Sequence, residues 1–498
     1  MCSVKRGKGF GAVALALSGL MAVSLLGPAS AQPVPYRPDA AARQMATTPP
    51  LPINPSPEQV AVMRQALDGA YRHGFARGAF TPRGDDAASV VAATLRYAKA
   101  IRTGRLAESG FRQDWGLRPP PYDPRAGLSQ AVSQGQVKAW LDALPPPYYG
   151  YQTLQDGLAR YRAIQDAGGW TPLAEADLKP GSTGPLVETL RARLALEDSE
   201  VPAEVARAAP PATAAAGTLG QPLYDAALTE AVKRAQRRFG QQPTGAFTAG
   251  VRVALNVPVE RRIEQIQANM ERWRWLPQVL PQRRIQVNIA AAVMSVFEGD
   301  DPVMSMRAVT GRPGDETPML HSMISGVVLN PPWNVPAGIA ARELFPKGSA
   351  YLASAGFKVL PTGNGGYRLQ QQPGPNSALG LFKFDFENPY AVYLHDTPSK
   401  SRFASYSRLA SHGCVRLEKP RALARYILAG DPYWTPEQID ATVAAGKTVR
   451  AEVRRPIDVF LLYWTAYVTP DGGVNFRADP YGWDSLLMQK IAAQGPMA

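Results

Sequence analysis

Tyr393-Leu394-His395-Asp396-Thr397-Pro398 and Ser411-His412-Gly413-Cys414-Val415-Arg416-Leu417 are the two segments that decide how this sequence of 498 residues is interpreted. Each places a histidine beside an apolar stretch, and the second also places a cysteine two residues after its histidine. A thiol is a nucleophile only as the thiolate, so it requires a neighbouring base or a positive field. Together the two segments predict a cysteine site for acyl transfer.

Individual residues of these segments suit separate steps of such chemistry. Cys414 is the candidate nucleophile, and His395 and His412 are the candidate bases. Gly413 permits a tight backbone turn, and backbone N–H groups near Gly413 and Cys414 are suited to stabilise a tetrahedral oxyanion. Arg416 is suited to bind a substrate carboxylate.

Residue order separates some alternatives for the cysteine. The histidines of the chain are His73, His321, His395 and His412, and all of them precede Cys414. A papain-type peptidase places its base after the cysteine, so that class is excluded. A zinc site built from His395, His412 and Cys414 would lack a clear fourth ligand and standard ligand spacing. A structural cysteine with incidental histidines also remains open, and His73 is expected to be an ordinary core or surface residue.

The sequence around the two segments is typical of β structure. From Ile285 to Ser295 apolar residues alternate with more polar ones, which predicts a strand. Further strands are predicted at 303–310, 326–329, 391–394 and 459–468, with a turn at 469–473 and a return strand at 474–477. Helices are predicted at 337–345, 418–429 and 436–445, and the segment 346–372, rich in Gly and aromatic residues, is a possible lid. We therefore predict a mainly β catalytic domain over 283–485.

The N-terminal half is expected to be helical and divided into units. Residues 32–56 are rich in Pro and Ala and predict a flexible linker. Residues 57–170 predict an α-helical scaffold domain, because apolar residues recur at helical spacing. Residues 173–256 predict a small three-helix unit interrupted by an Ala- and Pro-rich insert at 201–220. A helical link is predicted at 262–282.

The first 31 residues are typical of an export signal. They combine a basic start, an apolar run at 10–26 and the small-x-small pattern Ala29-Ser30-Ala31. An uncleaved anchor, with transient membrane association, is the alternative. Cleavage would remove Cys2 and leave Cys414 as the one cysteine, which is unusual in an oxidising compartment unless the thiol has a function.

The basic composition points to an anionic partner. The formal net charge is +13 at pH 7, and an exported basic protein is suited to anionic wall polymers, peptide stems or lipid head groups. Nucleic acid is not expected as a partner, because the sequence contains no recognition helix, RNP-like motif or zinc-finger spacing.

The active-site signature resembles that of YkuD-type L,D-transpeptidases, in which Ser-His-Gly-Cys-Val-Arg follows a histidine located 19 positions before the cysteine. Further matches, to the large multi-domain branch of that family, lie at 269–277, 310–312, 330–336, 373–380 and 461–466. Residues 173–256 also resemble a small three-helix peptidoglycan-binding module, through Lys179-Pro180-Gly181 and Gln236-Arg237-Arg238-Phe239. The resemblance implies a YkuD-like β-sandwich with a few helices, preceded by the scaffold and the peptidoglycan-binding-like domain.

The same resemblance assigns roles to residues. Cys414 is implied to be the nucleophile and His395 its base, with His412 shaping the pocket. The third partner is either a backbone carbonyl near His395 or the Asp396 side chain. Tyr393, Asn376 and Trp333 are candidate pocket-lining residues. No metal or cofactor is required.

The implied reaction is cleavage of the terminal D-Ala from peptidoglycan tetrapeptide stems through a Cys thioester. The acyl group is then transferred to an amine of a stem, of a D-amino acid or of an envelope protein. Carbapenem-type β-lactams are implied to acylate Cys414, and the implied location is the periplasm. An L,D-carboxypeptidase or wall peptidase and a non-catalytic peptidoglycan-binding scaffold are the alternatives. The oligomeric state stays open.

Overall fold

The chain between Pro57 and Asp166 is mainly helical, as the apolar periodicity predicts. The computed structural model describes residues 52–201, 207, 220–363, 365–469 and 473–494. The first helix starts with a capping box, because Ser56 Oγ accepts from the Gln59 N–H and the Gln59 side chain accepts from the Ser56 N–H. The helices are α1 (Pro57–Asp68), α2 (Ala87–Thr103), α3 (Pro124–Ser133), α4 (Val137–Asp142) and α5 (Tyr149–Asp166), with 3₁₀ turns at Gly69–His73 and Glu108–Gly110.

The unit at 173–256 contains the three helices that the sequence predicts, α6 (Pro185–Ala195), α7 (Ala226–Arg238) and α8 (Ala249–Leu255). Its turn depends on Gln236, whose side chain accepts from the Gly245 N–H at 2.8 Å and donates to the Ala246 carbonyl at 3.1 Å. Gly245 has φ +79°, which favours glycine. Most of the insert predicted at 201–220 lies outside the described residues. The next helix, α9 (Val259–Trp273), forms the first part of the predicted link.

A nine-stranded sheet is the main element of the C-terminal half. Its strand order is β10-β3-β11-β9-β8-β4-β12-β1-β2, and β2 also pairs with β3, so the sheet closes on itself. The strands are β1 (Arg283–Asn288), β2 (Val293–Glu298), β3 (Asp301–Gly311), β4 (Leu320–Leu329), β8 (Phe382–Phe386), β9 (Leu394–His395), β10 (Leu409–Ser411), β11 (Val415–Leu417) and β12 (Val449–Leu462).

The predicted strand from Ile285 to Ser295 was wrong in one respect, because the chain reverses within it. Residues 289–292 form a turn in which Asn288 Oδ1 accepts from the Ala291 N–H at 3.2 Å and Ala292 has φ +50°. β1 and β2 therefore pair antiparallel as a hairpin. The alternation is the same on both sides of the turn, which is why the sequence pattern did not reveal it.

Two other predicted strands are shorter than expected. The strand predicted at 459–468 ends with β12 at Leu462, because the Thr465 N–H bonds Asn269 Oδ1 at 3.0 Å instead of a neighbouring strand. The chain then continues as the hairpin β13 (Ala466–Val468) and β14 (Val474–Phe476), and residues 470–472 of the predicted turn lie outside the described residues. The strand predicted at 391–394 is confined to β9, because Asn388 Oδ1 holds the preceding residues in a loop through the Val392 N–H.

The segment predicted as a possible lid is part of a small α/β unit. Its sheet has the order β5-β7-β6, formed by β5 (Trp333–Asn334), β6 (Phe357–Pro361) and β7 (Tyr367–Gln371). Its helices are α10 (Ala337–Ile339), which continues as a π turn at Ala340–Leu344, and α11 (Gly348–Ser354). Val335, Leu352 and Leu369 belong to a hydrophobic cluster separate from the main core. A covering role over the cleft stays a prediction.

The helical half and the large sheet share one continuous hydrophobic core. The last helices are α12 (Pro420–Leu428), α13 (Pro436–Ala444) and α14 (Trp483–Ala493), and the first two occupy predicted positions. The predicted fold class, a mainly β catalytic domain preceded by α-helical units, is therefore confirmed. In the described part of the chain, none of the helices has the length and apolar character needed to cross a bilayer. The predicted signal at 1–31 and residues 32–51 of the predicted linker lie outside the described residues.

Candidate active site

Strand pairing brings the two signature segments together. β9 and β11 run parallel, with Val415 opposite Leu394 and Arg416 opposite His395. The Val415 N–H donates to the Tyr393 carbonyl at 3.0 Å, which extends this register by one residue. Val415 and Leu394 are fully buried in the core, and side chains alternate along a strand. The opposite face therefore carries Tyr393, His395, Cys414 and Arg416.

The loop before the cysteine is held by a buried threonine. Thr317 Oγ1 donates to the Gly413 carbonyl at 2.7 Å and accepts from the Gly311 N–H at 2.8 Å. Gly413 has φ +105°, and a Cβ there would lie 3.3 Å from the Glu316 carbonyl oxygen. A side chain at this position would therefore be strained, and glycine fixes how the thiol is presented.

The amide of Cys414 is the better oxyanion donor of the two that the sequence suggests. The Gly413 N–H donates to Ser411 Oγ at 3.2 Å, and that hydroxyl donates to the Cys414 carbonyl at 2.5 Å. Within the described residues, the Cys414 N–H donates to no acceptor. It is thus available to a tetrahedral oxygen formed beside the thiol.

The environment of the thiol acts on its pKa in two opposite directions. Burial raises the pKa of Cys414 above its usual value. Hydrogen bonding from Tyr393 and the charges of Lys383 and Arg416 act to lower it. Burial also raises the pKa of the Tyr393 hydroxyl, and the neighbouring Cys414 adds to that rise. Tyr393 therefore remains protonated, which is the form in which its hydroxyl acts to lower the pKa of the thiol.

His395 is the buried base candidate beside this thiol. Its side chain is only 4 % exposed. Burial lowers the pKa of His395 to about 3, and the Arg416 charge contributes in the same direction. Its ring forms an aromatic contact with Tyr393, with the centroids 5.5 Å apart. At neutral pH the imidazole is thus uncharged and able to accept a proton from the thiol.

The Asp396 carboxylate is occupied elsewhere. Its oxygens accept from Lys400 Nζ at 2.5 Å and from the Leu381 N–H at 2.9 Å. His395 and Asp396 are adjacent in an extended segment, so their side chains point to opposite faces. The backbone groups of Asp396 and Leu379 act to raise the pKa of His395, but His395 Nδ1 is buried and makes no hydrogen bond with any residue that the structure describes. Of the two alternatives for the third partner, the Asp396 side chain is directed elsewhere, and the backbone carbonyl stays a prediction.

Alkylation of Cys414 by iodoacetamide is expected to accelerate with pH, with a midpoint above the ordinary thiol pKa of about 8.5. Burial opposes the thiolate, so the reactive form appears only at higher pH. Tyr393→Phe removes a donor to the thiolate and should move the midpoint further up. Tyr433→Phe, at a tyrosine that is 60 % exposed, is the control and should leave it unchanged. The rate is read by peptide mass spectrometry at Cys414, and a midpoint near 7 would contradict the expectation.

Two cations line the same face as the thiol. In the part of the chain that the structure describes, the Arg416 guanidinium has no ion-pair or hydrogen-bond partner, and its Nε is buried. Lys383 lies opposite His395 in the β8–β9 register, and its Nζ is 4.6 Å from the centroid of the Tyr393 ring. Lys383 is also paired with Asp385 at 2.6 Å. Arg416 is therefore the cation available to a substrate carboxylate.

The remaining predicted residues differ in where they lie. Trp333 lies close enough to the Tyr393 hydroxyl to lower its pKa, which places Trp333 at the site. His412 Nε2 bonds Glu343 Oε1 at 2.8 Å, so it connects the cysteine loop to the small α/β unit. Asn376 is exposed, and its backbone carbonyl accepts from Gln371 at 3.4 Å. Among the described residues, no group of three or more His, Cys, Asp or Glu side chains is placed to hold a metal ion.

Three residues of the site were not found by sequence reasoning. They are Lys383 on β8, Thr317 below the cysteine loop, and Glu343, which bonds His412. Lys383 had a detectable signal, because Phe382-Lys383-Phe384-Asp385-Phe386 alternates strictly and predicts a strand with one polar face. Thr317 and Glu343 act through contacts across 96 and 69 residues, for which a single sequence carries no signal.

Comparison with known families finds two family models that match parts of this chain. Residues 282–435 match the family model described as the L,D-transpeptidase catalytic domain, YkuD, and residues 89–158 match a model described as a scaffold domain. Residues 282–435 are therefore similar in sequence to L,D-transpeptidase catalytic domains of the YkuD type, as the resemblance predicts.

Individual proteins are also similar to parts of this chain. A curated Haemophilus influenzae protein assigned to the L,D-transpeptidases is 33% identical over 245 residues, which cover 45% of this chain and 49% of the relative. The chain thus spans about half the length of the curated relative it matches. One similar solved structure is an L,D-transpeptidase from Mycobacterium smegmatis, with 14% identity, coverage of 36% of this chain and 58% of that chain, and a TM-score of 0.20. A second is the E. faecium L,D-transpeptidase catalytic domain acylated by ertapenem, with 11% identity, coverage of 37% of this chain and 99% of that chain, and a TM-score of 0.18. A third is an L,D-transpeptidase from Xylanimonas cellulosilytica, with 15% identity, coverage of 59% of this chain and 100% of that chain, and a TM-score of 0.18. TM-scores this low add nothing to the geometry of the site.

Proposed function

We propose that this chain is an exported L,D-transpeptidase that acts on peptidoglycan tetrapeptide stems in the periplasm. The observation that carries the proposal is the common face of β9 and β11, where Cys414, His395, Tyr393 and Arg416 lie together. A nucleophile, a neutral base, a hydroxyl donor and an unpaired cation are the groups that acyl transfer from a carboxylate-bearing peptide requires. The match of residues 282–435 to the catalytic-domain family supports it.

In the first step His395 accepts the Cys414 proton, and the sulfur attacks the carbonyl carbon of the third stem residue. The carbonyl oxygen becomes an oxyanion beside the Cys414 N–H. When the intermediate collapses, the C–N bond to the terminal D-Ala breaks and the His395 proton passes to the departing amine. Arg416 is proposed to bind the D-Ala carboxylate and so to orient the scissile bond. The product is a thioester on Cys414.

In the second step an acceptor amine replaces the sulfur. His395 removes a proton from the attacking amine, the C–S bond breaks, and the thiol regains the proton. A stem amine gives a 3–3 cross-link, and a D-amino acid or an envelope-protein lysine gives exchange or attachment. Water as acceptor gives L,D-carboxypeptidase activity. The module at 173–256 is proposed to hold the enzyme on the wall.

The proposal predicts a cross-linked dimer from a disaccharide-tetrapeptide muropeptide, with loss of one D-Ala. The products are read by mass spectrometry with the wild-type protein and with Cys414→Ala, which should form none because the nucleophile is missing. Tripeptide without dimer would favour the carboxypeptidase. Turnover by Cys414→Ala would remove Cys414 from its proposed role, and inactivity of both proteins would favour the non-catalytic scaffold.

Carbapenem acylation is a second expected property of the same thiol. A strained β-lactam carbonyl presented to Cys414 should open to a thioester, which increases the intact mass by the mass of the drug. Peptide mapping should place the adduct on 411–417. Cys414→Ala should remain unmodified, and an adduct found elsewhere on the chain would contradict the assignment.

A further inference from the structure

A cavity of about 520 Å³ lies between the helical scaffold and the outer face of the closed sheet, on strands other than those that carry Cys414. Its floor is the exposed side of β1, β2 and β3, and its walls come from the start of α5, the end of α9 and the segment after β12. This volume falls within the range of about 300–1,000 Å³ that is typical of small-molecule sites. None of the residues assigned to catalysis lines it.

The floor contains an amide that has no protein partner and has access to the cavity. Gln286 is 7 % exposed and lines the cavity. Its side chain makes no hydrogen bond with any residue that the structure describes. An amide at the wall of a cavity is satisfied by water or by a ligand that takes the place of that water. Ser295 lies opposite Gln286 in the hairpin register, and its hydroxyl bonds that of Ser305 at 2.7 Å.

The walls are aromatic. The Trp273 and Trp464 rings are stacked, with their centroids 4.5 Å apart and an interplanar angle of 21°. The centroid of the Tyr148 ring lies 5.3 Å from that of Trp273. Tyr149 and Tyr467 also line the cavity, and Tyr149 is 62 % exposed. Flat aromatic faces above hydroxyl and amide groups match a ring that is apolar on one face and polar at its edge.

The lining carries little net charge. Its one buried cation is Arg284, which donates to the carbonyls of Pro281 and Gly299. The Arg284 Nη2 atom also lies 3.8 Å from Asp300 Oδ1. Gln286 and Asn288 provide amides, each with donor and acceptor atoms. The polar groups of the cavity therefore suit an uncharged ligand with hydroxyl and amide groups better than an anion.

We propose that this cavity is a carbohydrate site that binds an N-acetylated pyranose, with the sugar face on the aromatic wall and its acetamido or hydroxyl group on Gln286. The identification of that sugar as part of the wall glycan rests on the proposed function. The cavity would then hold the glycan chain while the site around Cys414 acts on the peptide stem of that chain.

The test uses the full chain with Cys414→Ala, so that binding is measured without turnover. Tri-N-acetylchitotriose, a trimer of N-acetylated pyranose, is titrated by isothermal calorimetry. Gln286→Leu keeps the shape of the side chain and Tyr149→Ala alters an exposed ring, and both should weaken binding about tenfold. Tyr433→Ala is the matched control, since Tyr433 is 60 % exposed and lies outside the cavity. It should bind as the parent does.

Absence of binding, or binding that persists in both cavity variants, would overturn the proposal, the second because the sugar would then lie elsewhere on the chain. These outcomes leave the proposed transpeptidase activity untouched, because acyl transfer can also be measured on a free tetrapeptide, which has no sugar. With active protein, Gln286→Leu should raise KM for the disaccharide-tetrapeptide and leave KM for the free tetrapeptide unchanged. An equal change for both substrates would also overturn the proposal.

Discussion

His395→Gln is expected to lower kcat for acyl transfer by about 10²–10⁴-fold, the contribution typical of a positioned general base. Glutamine approximates the size of the ring and fills the buried site, but it cannot accept the Cys414 proton. The same variant should also remove the basic group that returns a proton to the departing amine. The rate is followed as D-Ala released per minute from the muropeptide.

His412→Gln is the matched control for this prediction. His412 bonds Glu343 and connects the small α/β unit to the cysteine loop, so its loss should act mainly on KM and by less than tenfold in kcat. Thermal melting compares the folding of both variants with that of the parent. If His412→Gln loses kcat and His395→Gln keeps it, the two histidines have exchanged roles.

The two signature segments predicted the centre of the site because their geometry is local. Each segment enters one strand of the adjacent pair β9 and β11, so a short string of residues fixes the side of the sheet on which each side chain lies. Asp396 shows where this reasoning stops. Its chemistry suited a partner for His395, but strand alternation and the bond to Lys400 direct it away.

The fold was predictable in class and less so in detail. Helical spacing and period-two alternation identified the helical half and the sheet domain. The chain reverses at Asn288–Ala292 without interrupting the alternation of apolar and polar residues. The sequence pattern therefore gave no sign of this turn. Lys383 lay in a detectable strand, whereas Glu343 reaches His412 through a π turn, a local geometry for which the sequence has no marker.

Two motifs that the resemblance singled out, 269–277 and 461–466, turn out to contact each other. Asn269 Oδ1 accepts from the Thr465 N–H at 3.0 Å, and its Nδ2 donates to Thr465 Oγ1 at 2.7 Å. The Trp273 and Trp464 rings are stacked. These residues join α9 to the segment that follows β12, a role that no single sequence reveals because Asn269 and Thr465 are 196 residues apart.

Glu271 is the most buried charge of the first of these motifs. It is 0 % exposed and accepts from Arg274 Nη1 at 2.8 Å and from the Leu106 N–H at 3.1 Å. Arg274 in turn donates to the Tyr151 hydroxyl at 3.1 Å. The carboxylate thus connects the end of α9 to the loop after α2. Its removal would leave Arg274, only 2 % exposed, as a buried cation without its counter-ion.

Glu271→Ala is therefore expected to lower the free energy of unfolding by about 3–5 kcal/mol, the cost typical of breaking one side of a buried ion pair. Glu264→Ala is the control on the same helix, because Glu264 pairs with Arg261 at the same three-residue spacing but on the surface. Its effect should stay below about 1 kcal/mol. Urea denaturation is followed by tryptophan fluorescence and circular dichroism, whose transitions must coincide before one free energy is assigned. Equal losses of unfolding free energy in the two variants would mean that the burial of Glu271 does not determine how much this residue stabilises the fold.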